Sequence, residues 1–113
     1  MKKLCISLLS VVTTVAVAGS GSGTVTGFIP GNVSGTSVFV FQTSSNPSSS
    51  AASCNGTLRF AMASTNPQYS STVAAVMAAY ASGSPVIAVG TGSCTVLPNA
   101  EDLNYVCVGT IPC

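Results

Sequence analysis

The sequence predicts a small, mostly β domain carrying one α-helix. Three observations lead there. Apolar or alternating runs recur between turn residues at Thr24–Ile29, Ser37–Gln42, Gly56–Ala63, Pro85–Gly90 and Leu103–Val108. One longer stretch, from Asn66 to Ser82, shows the apolar period of a helix instead. The chain has 113 residues, enough for one domain and not two.

The N-terminal segment is set apart from that domain. Lys2 and Lys3 precede a mainly apolar run from Leu4 to Val17, and Ala16-Val17-Ala18 supplies the small-residue pattern that a signal peptidase cuts after. Residues 1–18 are read as a secretory signal peptide, and residues 19–113 as the single folded domain. The run is too short and too rich in serine and threonine to span a bilayer of roughly 30 Å. Gly19–Gly23 reads as a flexible leader to the domain.

Each element has its own signal. Thr24–Ile29 alternates weakly, and Pro30-Gly31-Asn32 reads as a turn. In Ser37–Gln42, Val38 and Val40 share one face while Phe39 and Phe41 share the other. Such a strand is either buried on both sides or meets another subunit. Thr43–Ser53 is a low-complexity stretch and reads as a mobile loop. In Gly56–Ala63, Leu58, Phe60 and Met62 face inward, and Thr57, Arg59 and Ala61 outward. Asn66 caps the helix with Pro67 at its first position, and Gly83 stops it. Tyr69, Val73, Val76, Met77 and Tyr80 form its apolar stripe. The opposite side, with Ser71, Ala74, Ala75, Ala78 and Ala79, has no charge and no long side chain, which suits either plain helix propensity or close packing on another helix. Pro85–Gly90 and Leu103–Val108 are the last two strands. Five strands with one helix between the third and fourth is the order of an OB-fold barrel.

Charge narrows the function classes. Lysine plus arginine total 3, aspartate plus glutamate total 2, and histidine is absent. Charged residues make up 4%, against about 25% in a typical soluble domain. Nucleic-acid binding is excluded, because neutralising phosphates needs several basic side chains. A polybasic membrane patch is excluded for the same reason. Weak repulsion between copies favours self-association.

Five cysteines are present, and Cys5 belongs to the leader. Cys54, Cys94, Cys107 and Cys113 remain, an even number that reads as two disulfides in a secreted chain. Three pairings are open to four cysteines, and the one expected is Cys54–Cys94 with Cys107–Cys113. Zinc is the rival reading, disfavoured by the lack of histidine and of a close Cys-x-x-Cys pair.

Catalytic groups are scarce. Without histidine there is no Ser-His or Cys-His pair. Glu101 and Asp102 would point in different directions if extended, a poor acid/base couple, and read as a polar turn before the last strand. Gly90-Thr91-Gly92 lacks the lysine and following helix of a phosphate loop. Arg59 is expected to pair with Glu101 or Asp102, or to contact an acidic sugar. No enzyme activity, metal or cofactor is expected.

Several stretches together resemble a known family: Cys54-Asn55-Gly56-Thr57-Leu58-Arg59-Phe60, then Val76-Met77-Ala78-Ala79-Tyr80-Ala81-Ser82-Gly83, Pro85-Val86, Gly90-Thr91-Gly92-Ser93-Cys94, and Leu103-Asn104-Tyr105-Val106. They resemble small secreted bacterial proteins similar to the B subunits of AB5 toxins, in the subtilase-cytotoxin and pertussis-like branch. The resemblance covers about half of the chain. It implies an OB-fold, a ring of five copies whose helices line a central pore, a toxin A subunit as partner, and binding to a cell-surface glycan. It also implies a Cys54–Cys94 disulfide, with Cys107 and Cys113 an addition to the pattern. Sugar contacts in such proteins cluster on the first strands, where Ser22-Gly23 corresponds to a serine-glycine pair. Ser22, Thr24 and Tyr105 are the candidate glycan-binding residues. Phe39, Phe41, Ala74, Ala75 and Ala78 are the candidate oligomer interface. The rival expectation is a self-associating secreted or envelope structural protein without a small ligand.

Overall fold

The computed structural model describes residues 17–113. The leader assigned to residues 1–18 therefore lies almost wholly outside the described residues. Five strands and one helix follow in the expected order: β1 (Ser20–Val33), β2 (Thr36–Ser45), β3 (Phe60–Ala63), α1 (Tyr69–Ser82), β4 (Val86–Gly90) and β5 (Glu101–Val108). The strands join into one closed sheet in the order β1-β2-β3-β5-β4, with β4 returning to β1. All neighbours are antiparallel except β3 and β5.

β1 is longer than its alternation suggests. The stretch expected to be a flexible leader is its first part: Ser20–Gly23 pairs with β4 from Val89 to Val86. From Ser22 onward the strand also pairs with β2, through two register shifts on either side of Val25. Gly23 has φ +97° at the point where β1 leaves β4. Bulges and a left-handed glycine bend the strand so that one segment serves two neighbours and closes the sheet. The expected turn at Pro30-Gly31-Asn32 is also strand, because Gly27–Val33 pairs on one side only and there tolerates a residue without an N–H. The chain reverses at Ser34-Gly35, both at positive φ, with the Gly35 N–H donating to Asn32 Oδ1 at 3.0 Å.

The doubly apolar β2 is buried on both faces. Phe39 and Phe41, each 2% exposed, project into the sheet interior with Val25, Phe60, Val86 and Leu103. Val40 faces outward and is covered by the crossing between β4 and β5, where Val96 and Leu97 pack on it with Ala61 and Ala100. Phe39 and Phe41 are thus core residues, which corrects their assignment to an oligomer interface. Ala61, expected to face out, is buried by the same crossing. β3 is short because Leu58 sits at φ +55° and breaks the extended run expected from Gly56.

α1 begins at Tyr69, two residues after Pro67. Asn66 does not cap it; its Oδ1 accepts from the Gln68 N–H at 2.8 Å and forms a turn ahead of the helix. Gly83 ends the helix in the left-handed conformation, as expected. The face turned to the sheet is Thr72, Val76 and Ala79, flanked by half-buried Tyr69 and Val73, so Ala79 lies on the buried side and not on the opposite side where it was expected. Met77 and Tyr80 are exposed, and Tyr80 packs edge-on against Phe28 with ring centroids 5.3 Å apart. The small Thr72 and Ala79 side chains permit close approach to the sheet, so the buried stripe is narrower than the large residues suggested.

Cys54–Cys94 and Cys107–Cys113 are disulfide-bonded. These bonds indicate an oxidising, non-cytoplasmic environment and use all four cysteines that zinc would require. The segment expected to be a mobile loop is tied down. Thr43–Ser45 belongs to β2, Ser48–Ser50 is a single 3₁₀ turn, Ala52 is buried, and Asn46 Nδ2 donates to the Leu58 carbonyl at 2.7 Å.

Candidate binding site

The two carboxylates lie at the start of β5, not in a turn, and project in opposite directions. Glu101 is 0% exposed. It accepts hydrogen bonds from the Gly19, Ala52 and Gly92 N–H groups at 2.8, 3.3 and 3.0 Å. Asp102 faces the crossing loop, where Oδ1 accepts from the Thr95 and Val96 N–H groups at 2.9 and 3.0 Å. Arg59 joins neither acid; its Nε donates to Thr57 Oγ1 at 2.9 Å. Both carboxylates hold the backbone of loops in place through hydrogen bonds from N–H groups.

A cleft of about 470 Å³ opens between the first half of α1 and the middle of β5. The helix contributes Gln68, Ser71, Thr72 and Ala75; the strand contributes Asn104, Tyr105 and Val106. The helix start sets this arrangement. Gln68 is the residue before the first turn, and Ser71, Thr72 and Ala75 follow at helical spacing on the side next to β5. Tyr105 is 45% exposed, so much of its ring is free to meet a ligand. Among the described residues, no charged side chain lines the cleft. Hydroxyls and amides that both donate and accept stand beside an aromatic face, a donor set suited to a neutral polyhydroxylated molecule.

The expected glycan residues are partly brought together. Ser22 and Tyr105 share one outer face of the sheet: Ser22 lies opposite Ile87, and Tyr105 opposite Val89, on intervening β4. Strand spacing puts them ~12 Å apart, with exposed Ile87 between. Thr24 is exposed beyond β4's last partner, its N–H held by Ser44 Oγ at 3.0 Å. Neither Ser22 nor Thr24 lines the cleft. Gln68 and Thr72 were not singled out by the sequence, and Ser71 read only as part of the uncharged helix face; a polar cluster spaced three and four residues apart on a helix without charge was their signal.

Another hollow, about 260 Å³, lies on β1 and β2 between Thr26, Phe28, Ile29, Gln42 and Arg59. Among the expected interface alanines, Ala74 and Ala78 are exposed and Ala75 lines the main cleft. Among the described residues, no helix is long and apolar enough to cross a membrane. Comparison with known proteins returned no matching family model, no matching curated protein and no matching solved structure.

Proposed function

We propose that the chain is a secreted, OB-fold glycan-binding module resembling the B subunits of AB5 toxins, and that it binds a neutral sugar in the cleft between α1 and β5. The cleft carries the reading: Tyr105 stands with Gln68, Ser71, Thr72 and Asn104, without a charged group among them. A sugar ring presents an apolar face and a rim of hydroxyls, and this lining offers a partner for each. The closed sheet order and the position of α1 between β3 and β4 support the OB-fold assignment. Ser22 would extend the contact along the same outer face to a second sugar residue.

A glycan array probed with the oxidised protein, its mass in solution measured on the same sample, tests the reading. Selective binding to one glycan class that falls at least tenfold on Tyr105→Ala supports it. Equal binding by wild type and Tyr105→Ala, or none by either, refutes it.

A second reading rests on a different observation. The exposed side of α1 presents Ala74, Met77, Ala78 and Tyr80 and no charge. A solvated helix face usually carries charged side chains, so this one suits packing against the same face of other copies in a homo-oligomeric ring.

A further inference from the structure

Glu101 is fully buried, and among the described residues its hydrogen bonds come from backbone N–H groups alone. Such groups carry only partial positive charge, and a buried carboxylate without a counter-ion is costly. Among the described residues the sole basic side chain is Arg59, committed to Thr57. Asp102 faces away, toward Thr95 and Val96. The shortest of the three bonds to Glu101, 2.8 Å, comes from the backbone nitrogen of Gly19.

That nitrogen lies where the sequence places the end of the leader. Ala16-Val17-Ala18 is the pattern that precedes a signal-peptidase cut, and the next nitrogen belongs to Gly19. Burial changes at the same bond. Val17 is 70% exposed and Ala18 is exposed, while Gly19 is buried. We propose that hydrolysis of the Ala18–Gly19 bond is a maturation step that creates the missing counter-ion: the Gly19 amide nitrogen becomes an α-ammonium group and forms a buried ion pair with Glu101. One water is consumed. Its oxygen goes to the Ala18 carbonyl carbon, which leaves as a carboxylate, and the Gly19 nitrogen ends with three protons. The catalyst is an external endopeptidase that cuts after small residues.

The site accepts only glycine at the new terminus. A β-carbon on residue 19 would lie 2.5 Å from Glu101 Oε1 and 2.6 Å from the Ser50 carbonyl oxygen. The same carboxylate holds Ala52 and Gly92, so the ion pair would fasten the first residue, the β2–β3 connection and the β4–β5 crossing at one point. In the uncut chain an amide occupies the place, and none of the described residues gives Glu101 a counter-ion. The proposal rests on the leader assignment and is independent of glycan binding.

Lys2 and Lys3 are the only lysines, so the processed chain carries a single amine. The full chain is exported from a secreting bacterium and its new N-terminus read by mass spectrometry. Acetylation of that amine by acetic anhydride is then followed against pH, in native and urea-unfolded protein, for wild type and Glu101→Gln. The expected result is Gly19 as first residue, with a native amine that titrates above the ordinary range of about 7.7–8.0. At about pH 8 it reacts at least tenfold more slowly in native than in unfolded protein, and Glu101→Gln removes the elevation. A raised amine pKa adds stability that is fully present below the unfolded value and lost as pH rises through the folded value. Protein acetylated while unfolded and then refolded keeps the N–H but lacks the charge. It should unfold at lower urea than the free-amine form near neutral pH, and the two should converge at alkaline pH. A different N-terminus, an ordinary amine titration, or equal urea midpoints near neutral pH overturns the proposal. The acetylated-versus-free comparison decides by itself if Glu101→Gln does not fold.

Discussion

Three backbone N–H groups converge on Glu101 from segments far apart in the chain, and Gly90 leaves the space its carboxylate occupies. Glu101→Gln keeps the shape but replaces a charged acceptor with one neutral oxygen and an NH₂ group facing donors. It should cost about 3 kcal/mol, read as a lower urea midpoint at unchanged slope. Gly90→Ala tests the space. Its β-carbon would overlap the Glu101 carboxyl group, and about 2 kcal/mol should be lost, whereas Gly27→Ala, with nothing within 4 Å, should change stability by under about 1 kcal/mol. Part of this was legible in the sequence. Strand alternation correctly sends Glu101 and Asp102 in opposite directions, yet acidic neighbours also favour turns, and local composition cannot reveal donors supplied by residues 19, 52 and 92.

Among the elements, β2 and the crossing over it depend on each other. Val40 is buried only because the β4–β5 crossing lies on it, and Cys54–Cys94 ties that crossing to the chain ahead of β3. The link spans 40 residues, so its removal by Cys54→Ala with Cys94→Ala should cost about 4 kcal/mol by loop-closure entropy. The Cys107–Cys113 link spans 6 residues at the chain's end and should cost about 2 kcal/mol when replaced in the same way. Differential scanning calorimetry of both double variants checks the order, and equal losses would contradict it. Strand and helix existence was readable from periodicity, and the Gly83 stop from glycine's tolerance of positive φ. The length of β1 was not readable. Its glycines and Pro30 look like turn residues, and their place in a strand follows from closure, since bulges and one-sided pairing are set by neighbours distant in sequence.

For the whole molecule the question is what its uncharged surface meets. The doubly apolar β2 pointed to either a covered strand or a subunit contact, and folding covers it, so the proposed self-association rests on the exposed α1 face. Ala74, Met77, Ala78 and Tyr80 lie on that face, clear of the cleft lining. The two surfaces can therefore be separated by mutation. Ala78 is exposed in mid-helix, and lysine is nearly as good a helix former as alanine, so Ala78→Lys should alter monomer stability by only a few tenths of a kcal/mol. In a ring whose helices face one another, the same change sets a positive charge from each copy against its neighbours in a desolvated interface. Sedimentation velocity at micromolar concentration should then show wild type as an oligomer and Ala78→Lys as a monomer, with affinity for an isolated sugar unchanged and avidity for a dense glycan surface lost. An unchanged sedimentation coefficient would remove α1 from the assembly. A wild type that is itself monomeric would leave a single-site lectin whose alanine-rich helix face reflects helix propensity alone.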